Sequence, residues 1–199
     1  MNDKPYSESC DQNREPILAV LREVFADRAY VLEIGSGTGQ HAVYFGSQLP
    51  HLRWQTADLP LHHQGIRVWL ADAALPNVLP PIALNVSQMP WRNGRYDAVF
   101  SANTLHIMSE PDVTQFFVGV GVALEPGGVL VVYGPFNYNG QYTSESNARF
   151  DSWLKQRDPA SGVRDFEAVD ALASAQGLVL QQDYEMPANN RTLVWKKIV

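Results

Sequence analysis

The stretch YVLEIGSGTGQHAVYF, Tyr30 to Phe45, decides how the fold is read. An apolar run ends in an acid, Glu33. Glycines follow at every second position, Gly35, Gly37 and Gly39, and the pattern then turns helical. A strand that turns through glycines into a helix puts backbone N–H groups at the carboxyl end of a sheet, where open parallel sheets bind ligands. Glycine permits the positive φ and the close approach that such a turn demands. The competing reading is a tight turn at a helix N-terminus that holds nothing.

Outward from this turn, apolar runs alternate in kind. Residues 14–28 carry Ile17, Leu18, Leu21, Val24 and Phe25 at helical spacing. Strand patterns follow at 30–34, 52–58, 81–86, 96–103 and 127–134, with helical patterns between them at 39–49, 64–75 and 110–124. The runs at 96–103 and 127–134 are nearly continuous in apolar residues, as expected of strands buried on both faces. Helices are expected at 147–157 and 165–176, and strands at 178–186 and 191–198. Strand–helix alternation predicts a parallel sheet built by right-handed crossovers. The short PANN connection at 187–190 makes the last two strands antiparallel. The expected architecture is an α/β, Rossmann-like, seven-stranded, mostly parallel sheet with its last strand antiparallel and helices on both faces. No repeat or linker interrupts residues 1–199, which are read as one domain.

Composition narrows the partners. A chain of 199 residues suits one sizeable domain, and 45% hydrophobic with 18% charged residues is a globular composition. The net charge of -6 and the lack of a Lys/Arg run argue against nucleic acid. Cys10 stands alone, so neither an internal disulfide nor a cysteine-based zinc site is available. His62 and His63 are adjacent, lack metal-ligand spacing, and are expected to face solvent. No metal is expected. The polar N-terminus and the short apolar runs predict a cytoplasmic protein with no membrane contact. Oligomeric state is not legible.

The glycine spacing departs from the dinucleotide pattern. The dinucleotide fingerprint is G-x-G-x-x-G, and here Gln40 occupies the third glycine position. The form E-x-G-x-G-x-G instead resembles motif I of class I S-adenosylmethionine-dependent methyltransferases. That resemblance implies cofactor contacts at Glu33, Gly35, Ser36, Gly37, Thr38, Gly39, Gln40 and His41. Asp58 closes the second strand, about 20 residues on, where an acid meets ribose hydroxyls or caps the next segment. Asn85 and Val86 stand in the block where the superfamily places an adenine acid and its apolar neighbour. An Asn still accepts from an exocyclic amine. Trp91 edges that site or packs in the core. Asn103 and His106 stand at the end of the fourth strand; both are candidates for lining the pocket and for a catalytic role, Asn103 also as a cofactor contact and His106 for proton transfer.

Further segments narrow the match: QNREPILAVL, the run from Tyr133 through GPFNYNGQYTSESN to GVRDFEAV, and MPANNRTLVWKK. With the glycine turn they resemble a family first catalogued as a domain of unknown function and described as methyltransferase-like, the methyltransferase-like protein 26 family. The resemblance covers nearly the whole chain. It implies the class I methyltransferase fold, S-adenosylmethionine as cofactor and S-adenosylhomocysteine as product, without a substrate. In that superfamily the segment before strand one, here residues 1–29, folds over the cofactor, and Arg14 is placed to pair with the methionine carboxylate.

The loops after strands one, four, five and six are expected to converge on one cleft. Asn137, Tyr138, Tyr142, Ser146, Asn147, Asn189 and Asn190 would line it, unless each is simply a turn former. Asn137, Tyr142, Asn147, Asn189 and Asn190 are the expected acceptor contacts, and Tyr138 joins Asn103 and His106 as a catalytic candidate. Methyl transfer is an in-line displacement that depends chiefly on alignment, so the lack of a catalytic dyad is compatible with an enzyme. The expectation is a methyltransferase acting on a small polar acceptor. The alternative is a catalytically silent S-adenosylmethionine-binding regulatory or interaction protein. A nucleotide-dependent oxidoreductase is disfavoured by Gln40.

Overall fold

The computed structural model describes residues 4–91 and 95–198. The chain runs α1 (Glu8–Val24), β1 (Tyr30–Ile34), α2 (Gln40–Gln48), β2 (Arg53–Asp58), α3 (His63–Ala73), β3 (Val78–Ala83), β4 (Tyr96–Ala102), α4 (Glu110–Ala123) and β5 (Leu124–Gly134). It continues through β6 (Phe136–Asn137), α5 (Glu145–Arg157), β7 (Arg164–Asp165), α6 (Phe166–Ser174), β8 (Leu178–Met186) and β9 (Asn190–Lys197). Seven strands form one sheet in the order β3-β2-β1-β4-β5-β9-β8, while β6 and β7 pair separately. The first five are parallel, and β9 lies antiparallel to both β5 and β8. The strand order reverses beside β1, between β1 and β4, which is the topological switch point of an open sheet.

The central strands are buried because helices cover both faces. Ile17, Leu21, Phe25, Phe45, Trp54 and Phe100 form one core with α1 and α2. Phe116, Phe117, Val120, Leu130, Trp195 and Trp91 form the other under α4 and α6. Trp91 is therefore a core residue, packed against Gly119 of α4. A Cβ at Gly119 would sit 2.2 Å from Trp91 Cε2. Gly119→Ala is expected to destabilise the fold by about 1–3 kcal/mol through overpacking, read from the urea midpoint.

Three elements depart from their expected places. β5 begins at Leu124, three residues before the 127–134 pattern. β3 lies three residues earlier than the 81–86 pattern and contains both Pro80 and Pro81. It is an edge strand, where a missing N–H leaves no ladder partner wanting. α1 begins at Glu8, well before Arg14, and carries Pro16 in its interior. The polar residues that read as lying outside the helix include Asn13, which faces inward and is only 7% exposed.

Candidate active site: two joined cavities at the carboxyl end of the sheet

The turn after β1 is built on three positive φ values, 76° at Gly35, 55° at Gly37 and 91° at Gly39. The N–H groups of Gly35 and Ser36 both donate to the Ala57 carbonyl, at 2.9 and 3.1 Å. Gly37 N–H donates to Asp58 Oδ2 at 2.6 Å. A Cβ at Gly35 would meet Thr104 Cγ2 at 2.4 Å, so the turn can approach the β4 loop only with glycine there. At Gly37 the same Cβ would meet nothing within 4 Å, because that position opens on a cavity.

That cavity has a volume of about 470 Å³. Gly35, Ser36, Gly37, Thr38, His41, Asp58, Asn85, Val86 and Asn103, all expected from the sequence as cofactor contacts, line it. Ser7, Ser9 and Cys10 close it from the N-terminal side, and Leu84, Ile107 and Met108 add apolar wall. Two carboxylates, Asp58 and Asp112, face it, and no Lys or Arg does among the described residues. Asp112 was not foreseen. It stands in the first turn of α4, accepts from Ser109 Oγ at 2.7 Å, and accepts from Ser87 of the loop after β3. These hydrogen bonds hold its carboxyl below the ordinary range. The Ser109-to-Asp112 spacing announces a helix start, but nothing local says that it reaches Ser87.

Four expected cofactor contacts lie elsewhere. Glu33 is beneath the turn, 2% exposed, and accepts from Ser36 Oγ at 2.9 Å and Trp54 Nε1 at 3.1 Å. Burial pushes its carboxyl up to about 7. Gly39 faces α3, where its Cβ would lie 3.1 Å from Ile66 Cα. Gln40 holds the N-terminal strap: its Oε1 accepts from Ser7 N–H at 2.6 Å and its Nε2 donates to the Ser7 carbonyl at 3.2 Å. Trp69 Nε1 fixes the same strap through the Pro5 carbonyl at 2.6 Å. Arg14 pairs with Asp11 at 2.7 Å and lies over the Tyr44 ring, so it does not line the cavity. His63 does not face solvent as expected. It is 8% exposed and contacts the Asp58 carbonyl at 3.0 Å, whereas His62 borders the cavity.

A second cavity of about 520 Å³ meets the first at Ser9 and Asn103, which line both. Asn103 has a φ of 58°, an uncommon conformation for a residue with a side chain, and its N–H donates to the Tyr133 carbonyl at 2.9 Å. Around it stand Asn13, Tyr133, Ser146, Asn147, Phe150 and Asn190, amides and hydroxyls beside an aromatic face. Asn13 joins the two cavities chemically. Its Oδ1 lies 2.7 Å from His41 Nε2, and it also hydrogen-bonds Tyr133. Burial pushes His41 down to about 4 and Tyr133 up to about 12, so both are neutral at physiological pH.

The amides and tyrosines expected at one mouth are therefore divided. Asn147 and Asn190 line the second cavity. Asn189 supports it, since its carbonyl accepts from Asn147 Nδ2 at 3.1 Å. Asn137 and Tyr142 line a third cavity near α4 and α6. Tyr138 donates to Asp183 Oδ2 at 2.7 Å and stacks on Phe166, bordering none of the three. His106 is 7% exposed, packs edge-on against Phe150, and is pushed down to about 4 by burial. Loop sequence gave these residues one shared end of the sheet. Asn137 instead sits in β6, which pairs with β7 over two residues a side, too short to show a period in the sequence.

Solved structures share this architecture. An O-methyltransferase family protein from Burkholderia thailandensis superimposes with a TM-score of 0.82, at 18% identity over 92% of this chain and 56% of that one. An O-methyltransferase family 2 protein from Planctomyces limnophilus, in complex with apigenin, gives 0.82 at 13% identity over 99% of this chain and 63% of that one. PigF with SAH gives 0.76 at 16% identity, covering 92% and 55%. The chain spans a little over half the length of these proteins, and the likeness is one of fold, the Rossmann-like methyltransferase fold. A family model described as a protein of unknown function, DUF938, matches residues 4–197. The chain belongs to that DUF938 family.

Proposed function

We propose that this protein is an S-adenosylmethionine-dependent methyltransferase acting on a small polar acceptor. The observation that carries the proposal is the pair of cavities joined at Ser9 and Asn103, the first acidic and the second uncharged. The donor set fits the cofactor. Carboxylates at Asp58 and Asp112, with no Lys or Arg facing them among the described residues, suit a sulfonium and an ammonium, and disfavour the phosphates of a dinucleotide. Asp58 is placed for the ribose hydroxyls, and Asn85 for the adenine amine between Leu84, Val86, Ile107 and Met108. The open space above Gly37 is where backbone and ligand meet. The bound cofactor supplies a methyl group already activated on sulfur.

The chain's own contribution is alignment and exclusion of water. Residues 4–29 close the cofactor side through the Ser7–Gln40 and Pro5–Trp69 contacts. Asn103, held in its unusual backbone conformation, stands between donor and acceptor. Asn13, Asn147 and Asn190 orient the acceptor, and Phe150 offers a face for a ring. The O-methyltransferase names of the similar structures, and the apigenin complex among them, support a small-molecule acceptor. Methyl-labelled S-adenosylmethionine incubated with the protein and a small-molecule cell extract tests the reading. Label in an extractable product, lost on heating the protein, is expected. Tight binding of S-adenosylhomocysteine with no transfer to any fraction would instead leave a silent binding protein.

A further inference from the structure

The third cavity, about 750 Å³, takes no part in the proposed transfer. It lies between α4 and α6 and is roofed by the loop before β7. Its walls are half apolar, with Val113, Val163, Val169 and Leu172 among them. Arg164 stands in it with a side chain only 12% exposed. Arg164 Nε donates to the Leu105 carbonyl at 3.2 Å, and Nη2 donates to the carbonyls of Met108 and of Ala160, the latter at 2.8 Å. Nη1 makes no hydrogen bond among the described residues. Its ion-pair partner is Glu110 Oε1, 3.8 Å away on a side chain that is 87% exposed, while Asp165 lines the cavity and the charge of Asp151 also acts on Arg164. That separation is too long for a charge-assisted hydrogen bond, which closes to about 2.7–2.9 Å. Lys155 lines the same cavity, with its ammonium on Asp151 at 2.7 Å.

A mostly buried guanidinium with two N–H groups unfilled, beside apolar wall, is the chemistry of a carboxylate site. We propose that this cavity binds a small organic carboxylate, with the carboxylate on Arg164 Nη1 and the apolar body against α4 and α6. Glu110 is the internal stand-in that the ligand displaces. Its exposure makes displacement cheap, because a solvated ion pair contributes little. The site is separate from the two joined cavities, although Arg164 also holds the loop that presents Ile107 and Met108 to the first of them.

Removing Arg164 would strip three backbone carbonyls of their donor, so the informative variant is Glu110→Gln. Hexanoate and its neutral isostere hexanamide are titrated into the full chain by calorimetry, for the parent and for Glu110→Gln. Hexanoate is expected to bind the parent, with hexanamide at least about 10-fold weaker. Glu110→Gln is expected to tighten hexanoate about 3- to 10-fold and to leave hexanamide unchanged, since it removes a competing anion. Equal binding of acid and amide, no hexanoate binding by either protein, or unchanged affinity in Glu110→Gln would each overturn the proposal. None of these outcomes depends on S-adenosylmethionine.

Discussion

Gly37→Arg is expected to leave the protein folded while S-adenosylhomocysteine binding falls at least about 100-fold, roughly 3 kcal/mol. The separation of the two effects follows from the geometry. A Cβ at Gly37 meets no atom within 4 Å, so no packing is lost. The φ of 55° costs a side chain only about 1 kcal/mol. The guanidinium, however, projects into the first cavity, where it fills the space the ligand needs and opposes the ligand's ammonium beside Asp58. Thermal unfolding gives the first quantity and calorimetry the second. A variant that unfolds shows that the turn is structural, and one that binds normally shows that the ligand lies elsewhere.

Glu33→Gln is expected to stabilise the protein at alkaline pH and to do little at acid pH. Burial raises the Glu33 carboxyl from an ordinary 4.5 to about 7 in the folded chain. Between those values the folded state keeps a proton that the unfolded state has released. Native protons then exceed unfolded protons, and stability falls as pH rises. The full effect is present below about pH 4.5, is lost through pH 7, and amounts to about 3 kcal/mol. Gln carries no such proton, and its carbonyl still accepts from Ser36 and Trp54. Urea unfolding of both proteins at pH 5 and pH 8 is the measurement. The variant is expected to gain about 2–3 kcal/mol on the parent between the two pH values. A parent and variant that keep the same difference at both would show that Glu33 is ionised in the fold.

The parts of this structure that were legible from sequence are those written in consecutive residues. β1, its glycine turn and α2 occupy one uninterrupted stretch, so strand period, glycine spacing and helix period could be read together. β8 matched its expected span because both ends are marked, by Gly177 and by the PANN turn. β3 was displaced because its prolines argue against a strand unless the strand is known to lie at an edge. The wall of the first cavity was legible where a residue ends a strand, as Asp58 does. It was not where a side chain's direction depends on distant packing. Arg14 precedes the apolar run that anchors α1, yet it points at Asp11 and Tyr44. Gln40 stands at the fingerprint position and is spent on Ser7. Asn13 reads as a polar residue before a helix and is instead the link between His41 and Tyr133. Arg14's pairing with Asp11 is local, but Tyr44, Ser7, His41 and Tyr133 lie 28 or more residues from the side chains they hold, a separation no local pattern encodes.

The central claim is that the acidic first cavity holds S-adenosylmethionine rather than a dinucleotide. Calorimetric titration of the purified protein with S-adenosylhomocysteine, and separately with NAD, tests it most directly. The account predicts S-adenosylhomocysteine binding with a dissociation constant on the order of micromolar, and no heat from NAD. NAD binding, or a folded protein that binds neither, would contradict it.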